Sequence, residues 1–361
     1  MATPELAPNV KKHVDPSAPL PLRMMAAKAL VPLPPPDMIT ALFLLTADAD
    51  EKVRSTAVDS ATKLPDRILS SALRDEEVMG PVLGWFLDRL ATQDVYAEML
   101  ILNASTPDDA VARAASHCSA RVGEIVSQNQ LRLLRHEDIV RQLCRNPSSG
   151  PALIDSVCDF CVRSGLALED VPQMRAARLR IFGPGAESAP PDTGPTAEEV
   201  MAEYEELKDE NAPPLEEGKR LTLAQRVMKM SIAEKIKLAT KGNKEARSYL
   251  LRDSNKLVAV AVIRSPKITD GEVLAVANNR AALDDVLRVI CNNREWLKDY
   301  RVKVALTKNP KVPLHVAIKF LAQLRESEVK DLARNKNVPS GVQVLARKML
   351  DKKNAPKKEE K

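Results

Sequence analysis

The chain has 361 residues, 44% hydrophobic and 29% charged, enough for two domains that each bury a core. Only 3% are aromatic and 12 are glycine, and the apolar mass is Leu, Val, Ala, Ile and Met, which excludes a sandwich or barrel and favours packed helices. The net charge of +5 hides a polarity, since residues 219–361 carry 33 Lys and Arg against 15 Asp and Glu.

In chain order, residues 1–18 are punctuated by Pro4, Pro8 and Pro16 and are expected to be a flexible leader. They lack the basic-then-apolar order of a secretory signal. The longest apolar runs, Met38 to Ala47 and Leu257 to Ile263, fall short of the ~20 residues a bilayer span needs, so no membrane insertion is expected. Five cysteines without an export signal fit a reducing compartment, and a cytoplasmic location is expected.

Residues 19–182 read as an N-terminal block of short helices. Helix-like apolar stretches end in polar breaks: Lys63-Leu64-Pro65-Asp66, Thr106-Pro107-Asp108-Asp109 and Asn146-Pro147. Proline pushes the residue before it out of the α region, and it suits the first turn of the next helix. Thr106-Pro107-Asp108-Asp109 reads as a full start signal, with Thr106 as N-cap and two carboxylates on the positive helix end. In this block Cys158 and Cys161 have the spacing of a zinc pair, and Cys118 or Cys144 would complete a set with His117 and His136. They fall inside an apparent helix from Leu153 to Arg163, so buried hydrophobes are the favoured reading and no metal is expected.

Residues 183–221 form an acidic, proline-rich linker, with 11 Asp and Glu and one lysine, Lys208, between 184 and 218. Inside it, Thr196 and Glu199 make a capping box ahead of Val200, Tyr204 and Leu207, which share one helical face. The linker reads first as a solvated spacer. Second, it reads as a short amphipathic helix that docks into a groove and modulates binding.

Residues 222–352 form a basic C-terminal block with the same texture, and residues 353–361 a charged tail. Its breaks are Arg264-Ser265-Pro266, Lys308-Asn309-Pro310 and Arg334-Asn335-Lys336-Asn337. Ser231 with Glu234, and Thr269 with Glu272, read as capping boxes, and Gly242 is placed to end the helix that Ser231 starts. Pro65, Pro107 and Pro151 lie 42 and 44 residues apart, and Pro266 and Pro310 lie 44 apart. Such periods imply repeated helix pairs that must stack to bury their apolar faces.

The stretch from Arg301 to Pro313, and more loosely Val53 to Val58 followed by Pro65, resembles HEAT-like and leucine-rich-repeat-variant proteins. That resemblance implies an all-α fold of two blocks of stacked short helix pairs, an α-solenoid, which binds macromolecules. It carries over no functional residue.

No P-loop, dinucleotide fingerprint or nucleophile elbow occurs, and the chain has four histidines, so a non-enzymatic role without cofactor is expected. The functional lead is the basic block. Arg247, Arg252, Lys256, Arg264, Lys267, Arg294, Lys298, Arg301, Lys303, Lys308 and Lys311 recur near helix ends, where stacking would line them into a ridge. The expected role is a scaffold or regulatory adaptor whose ridge engages an acidic protein surface. Duplex nucleic acid, bound through its backbone, is the alternative. The aromatic residues of the block, Tyr249, Trp296, Tyr300 and Phe320, are few for stacking single strands.

Overall fold

Breaks so closely spaced leave helices of 5 to 15 residues, too short to persist alone in water. The computed structural model describes residues 8–184, 194–206, 223–335 and 337–354, and every regular element among them is helical. The helices fall into two compact units.

The first unit holds α1 (Pro8–Val14), α2 (Leu20–Ala27), α3 (Pro35–Leu45), α4 (Glu51–Thr62), α5 (Asp66–Leu73), α6 (Gly80–Leu90) and α7 (Asp94–Leu102). It continues with α8 (Asp108–Ala115), α9 (Ala120–Gln128), α10 (Gln130–Arg135), α11 (Glu137–Arg145), α12 (Pro151–Arg163) and α13 (Pro172–Phe182). The second holds α14 (Ala197–Glu206), α15 (Leu223–Lys229), α16 (Ile232–Lys241), α17 (Lys244–Leu250), α18 (Lys256–Ile263) and α19 (Asp270–Asn278). It ends with α20 (Asp284–Asn292), α21 (Arg294–Lys298), α22 (Tyr300–Lys308), α23 (Leu314–Leu321), α24 (Glu326–Arg334) and α25 (Ser340–Asn354).

The helices bury aliphatic side chains against their neighbours, except α21, whose Trp296 and Leu297 are only partly buried. In the second unit Ile263, Val273, Leu287, Ile290, Leu306, Leu321 and Leu332 belong to one core. Burying a Leu or Ile contributes about 1.5–3 kcal/mol, so it is tertiary packing that holds these short helices.

One polar device recurs between neighbouring helices. After α7, Asn103 Nδ2 donates to the Leu73 and Asp75 carbonyls at 2.9 and 3.0 Å, just beyond the end of α5. Asn146, after α11, does the same to Ala115 and Cys118 at 2.9 Å each. Asn309, after α22, reaches Ala277 and Asn279 at 2.9 and 3.0 Å. In each case the amide oxygen accepts from the backbone N–H two residues on, so the side chain forms its own turn and staples the preceding helix end. Helix C-termini leave carbonyls without intrahelical partners, and these asparagines satisfy them where water is excluded. Arg132 acts similarly, donating to the Asn103 and Thr106 carbonyls at 2.7 Å while its guanidinium pairs with Asp108.

Three local expectations are corrected. The leader is not wholly flexible: residues 8–14 form α1, Val10 is buried, and the helix packs on α2 and α3. Pro8 occupies the first helical position, where it is well tolerated, so that proline starts structure rather than breaking it. Thr106 is not an N-cap, because its hydroxyl donates to the Leu100 carbonyl and Pro107 takes the cap position. Ser231 caps α16, but Glu234 does not return the bond and accepts instead from the Ala197 N–H of α14. The boxes at Thr269–Glu272 and Thr196–Glu199 are both reciprocal. Gly242 ends α16, where a Cβ would lie 2.4 Å from the Leu238 carbonyl oxygen.

Candidate interaction surface

Hydrogen bonds between helix ends set the geometry of the second unit. The Ser265 hydroxyl, after α18, donates to the Thr240 carbonyl at 3.5 Å, and Lys267 Nζ donates to the Lys241 carbonyl at 2.7 Å. The C-terminal ends of α16 and α18 therefore lie together. Asn309 brings the C-terminal ends of α19 and α22 together in the same way. These two sets run oppositely: Lys235 near the start of α16 pairs with Asp253 beyond the end of α17, and α17 is joined to the start of α19 by Arg247 and Glu272. Likewise Lys311 beyond α22 pairs with Asp284 at the start of α20, and Lys303 near the start of α22 donates to Gln323 just past α23.

This antiparallel arrangement divides eight of the eleven basic residues between two edges rather than along one ridge. One edge carries Arg264, Lys267, Arg301 and Lys303, together with Lys241, which the sequence did not single out. The other carries Arg252, Lys256, Lys308 and Lys311. Arg294 and Lys298 belong to the short joining helix α21.

Arg247 leaves the candidate set. It is 4% exposed, and its guanidinium makes two 2.9 Å bonds to the Glu272 carboxylate and a third to the Gly242 carbonyl. Burial would push the Glu272 carboxyl up, but the bonds from Arg247 and Thr269 outweigh it and hold the group below its ordinary value. This buried pair joins α17 to α19 and offers nothing to a partner. Its partner lay outside sequence reasoning because Glu272 was already assigned to the capping box, and one carboxylate does both tasks.

The remaining basic residues differ in how committed they are. Arg301 forks onto Asp299 at 2.8 Å, which holds the Asp299 carboxyl below its ordinary value. Lys298 pairs with Glu295, and Lys308 with Glu328 at 3.4 Å. These are exposed or half-exposed contacts of the kind that contribute little, so a stronger anion can displace them. Among residues 223–354, exposed Lys and Arg outnumber exposed Asp and Glu by almost three to one. Two of the four aromatic residues are not open platforms: Phe320 is buried, and the Tyr300 ring is covered by the Arg325 guanidinium 4.8 Å from its centroid, while Tyr249 and Trp296 are half-buried.

The acidic segment has a described part, α14, which packs against α15 and α16. Val200 is 2% exposed, Ala197 is buried, and Glu198 pairs with Lys241 at 3.2 Å. Leu207 and the Tyr204 side chain lie outside the described residues.

Three of the five cysteines take the places expected of small buried hydrophobes, while Cys144 and Cys291 are half-buried. Cys118, Cys158 and Cys161 are fully buried, the last two on α12. Cys144 Sγ lies 3.8 Å from Cys158 Sγ. Among the described residues no group of three or more His, Cys, Asp or Glu is arranged to hold a metal ion, and no helix is long and apolar enough to cross a membrane.

Compared with protein-family models, with curated proteins and with solved structures, the chain finds no match.

Proposed function

We propose that the chain is a non-enzymatic scaffold or regulatory adaptor, an α-solenoid of HEAT-like helix pairs. On this reading its basic C-terminal block binds an acidic protein partner in the cytoplasm. The observation that carries it is the excess of exposed basic side chains at the helix ends of the second unit, where carboxylates are mostly spent on internal contacts. Lysines and arginines along two edges present a field of positive charge, which suits recognition of an acidic surface. The packing of α14 adds a second support, because an acidic helix with one apolar face already rests on this unit. A protein partner leads over nucleic acid because the acidic helix α14, with a buried Val200 and a Glu198–Lys241 pair, is the kind of ligand this unit already holds.

The test measures the full-length chain against a labelled acidic helical peptide and a labelled DNA duplex, side by side at rising salt. Binding of the peptide that survives near-physiological salt, with the duplex released, supports the reading. Retention of the duplex alone, with a steep loss of affinity as salt rises, overturns it in favour of backbone binding to nucleic acid.

A further inference from the structure

The basic unit also leaves an apolar face open. On α23, Leu314 and Ile318 lie one turn apart and are 46% and 37% exposed, and Val344 on α25 is 47% exposed. The two helices meet at Gly341, where a Cβ would lie 2.8 Å from Leu314 Cδ2. Leu314 therefore lies over Gly341, which is one turn from Val344 on α25, so the exposed Leu314, Ile318 and Val344 flank the contact between the two helices. His315 and Lys319 on α23 and Lys348 on α25 are exposed beside it, with Asp351 a turn further along.

We propose that this patch is the docking site for an acidic amphipathic helix of the partner protein; the inference rests on the acidic-partner reading above and names where such a partner anchors. Charge complementarity selects the occupant. An apolar centre rimmed by Lys319 and Lys348 favours a helix with leucine or valine on one face and glutamate on its flanks. The chain's own α14 is a helix of that chemistry, and it docks on the same unit through Val200 with a Glu198–Lys241 pair at the rim. The absent side chain at Gly341 lets Leu314 of α23 seat directly on the α25 backbone, which fixes where the apolar residues of the two helices meet. Apolar contacts supply most of the hold, and the lysines fix orientation and speed encounter.

The experiment uses the full-length chain and a fluorescent helical peptide with leucines at i, i+4 and i+7 and glutamates elsewhere. A scrambled peptide of the same composition is the control. The proposal expects Ile318→Glu with Val344→Glu to weaken the peptide at least about tenfold, a loss of about 1.4 kcal/mol. Lys319→Glu with Lys348→Glu should weaken it severalfold and flatten its salt dependence. Both sites are exposed, and unchanged circular dichroism with an unchanged thermal midpoint verifies that each variant folds. If the peptide binds the Ile318→Glu, Val344→Glu variant as tightly as the parent but is lost from Arg264→Glu with Lys267→Glu, the docking site is overturned while the basic-surface reading survives. If neither peptide binds the parent chain, both readings fail. A concentration-dependent dimer abolished by Val344→Glu assigns the face to a second copy and also overturns the proposal.

Discussion

Replacing Asn309 by alanine removes the staple between the ends of α19 and α22. The side chain is 2% exposed and serves three backbone groups: the Ala277 and Asn279 carbonyls and the Lys311 N–H. Ala277 is fully buried, so its carbonyl loses a partner that water cannot replace, at about 1–3 kcal/mol. Asn279 and Lys311 are exposed residues, and each of their backbone groups adds about 0.5–1 kcal/mol. The sum is a loss of about 2–5 kcal/mol, read as a lower urea midpoint for the second unit with an unchanged slope. Asn335→Ala is the internal comparison, because among the described residues the Asn335 side chain accepts from the Asn337 N–H and staples no earlier helix end, and it should cost under about 1 kcal/mol. Asn309→Asp probes the donor directly. A carboxylate facing two carbonyls has no proton to give, so this variant should be worse than alanine at neutral pH. Its folded-state pKa is raised by those carbonyls, so relative to the parent it should recover as pH falls and the protonated acid donates again. Equal losses for Asn309→Ala and Asn335→Ala, or a pH-independent Asn309→Asp, would refute the staple as a source of stability.

The Arg247–Glu272 pair gives a second expectation. Glu272→Gln leaves a buried guanidinium without its counter-charge and should cost about 3–5 kcal/mol at neutral pH. Because the folded Glu272 pKa is depressed, the parent's advantage exists above the unfolded carboxylate range and is lost as pH falls through the lower folded value, which unfolding curves across that interval would measure. For the cysteines, Cys144 is half-buried and its thiol is pulled down by the bond with Cys158, so an alkylating reagent should label it first. Cys291 is pushed up to about 11 by burial and should react slowly, whereas Cys118, Cys158 and Cys161 should label only after unfolding; early labelling of Cys161 contradicts the packing described. Finally, Val200→Asp should release α14 and raise hydrogen exchange across residues 197–206 without changing exchange in α22. Exchange unchanged in α14 would mean that Val200 does not hold it.

The all-helical class was legible in composition, because scarce aromatics and glycines leave few ways to build a sheet. Helix breaks at Pro65, Pro107, Pro151 and Asn309 were legible too, since proline and asparagine act through local backbone chemistry. What the sequence could not give is what each break residue does across space. Asn309, Asn146 and Asn103 read as punctuation, yet their amide groups reach carbonyls about 30 residues earlier. An Asn followed two residues later by a turn residue was the available signal, but it does not name the partner. Charge posed the same difficulty. Arg247 and Arg301 look alike in a basic run, and only packing makes the first a buried strut and the second an exposed side chain. The opposed directions of α20 and α22, which split the basic residues between two edges, depend on three-dimensional register and have no local sequence signal.

The most direct test of the central claim is calorimetric titration of the full-length chain with an acidic helical peptide, comparing charge reversal at the two edges. Arg264→Glu with Lys267→Glu alters one edge, and Arg252→Glu with Lys256→Glu alters the other; neither pair includes the buried Arg247. The account predicts that at least one reversal weakens binding tenfold or more, about 1.4 kcal/mol, and that the loss shrinks as salt is raised. Undiminished binding by both variants at low salt would contradict it, because the exposed basic edges would then have no part in recognising the partner.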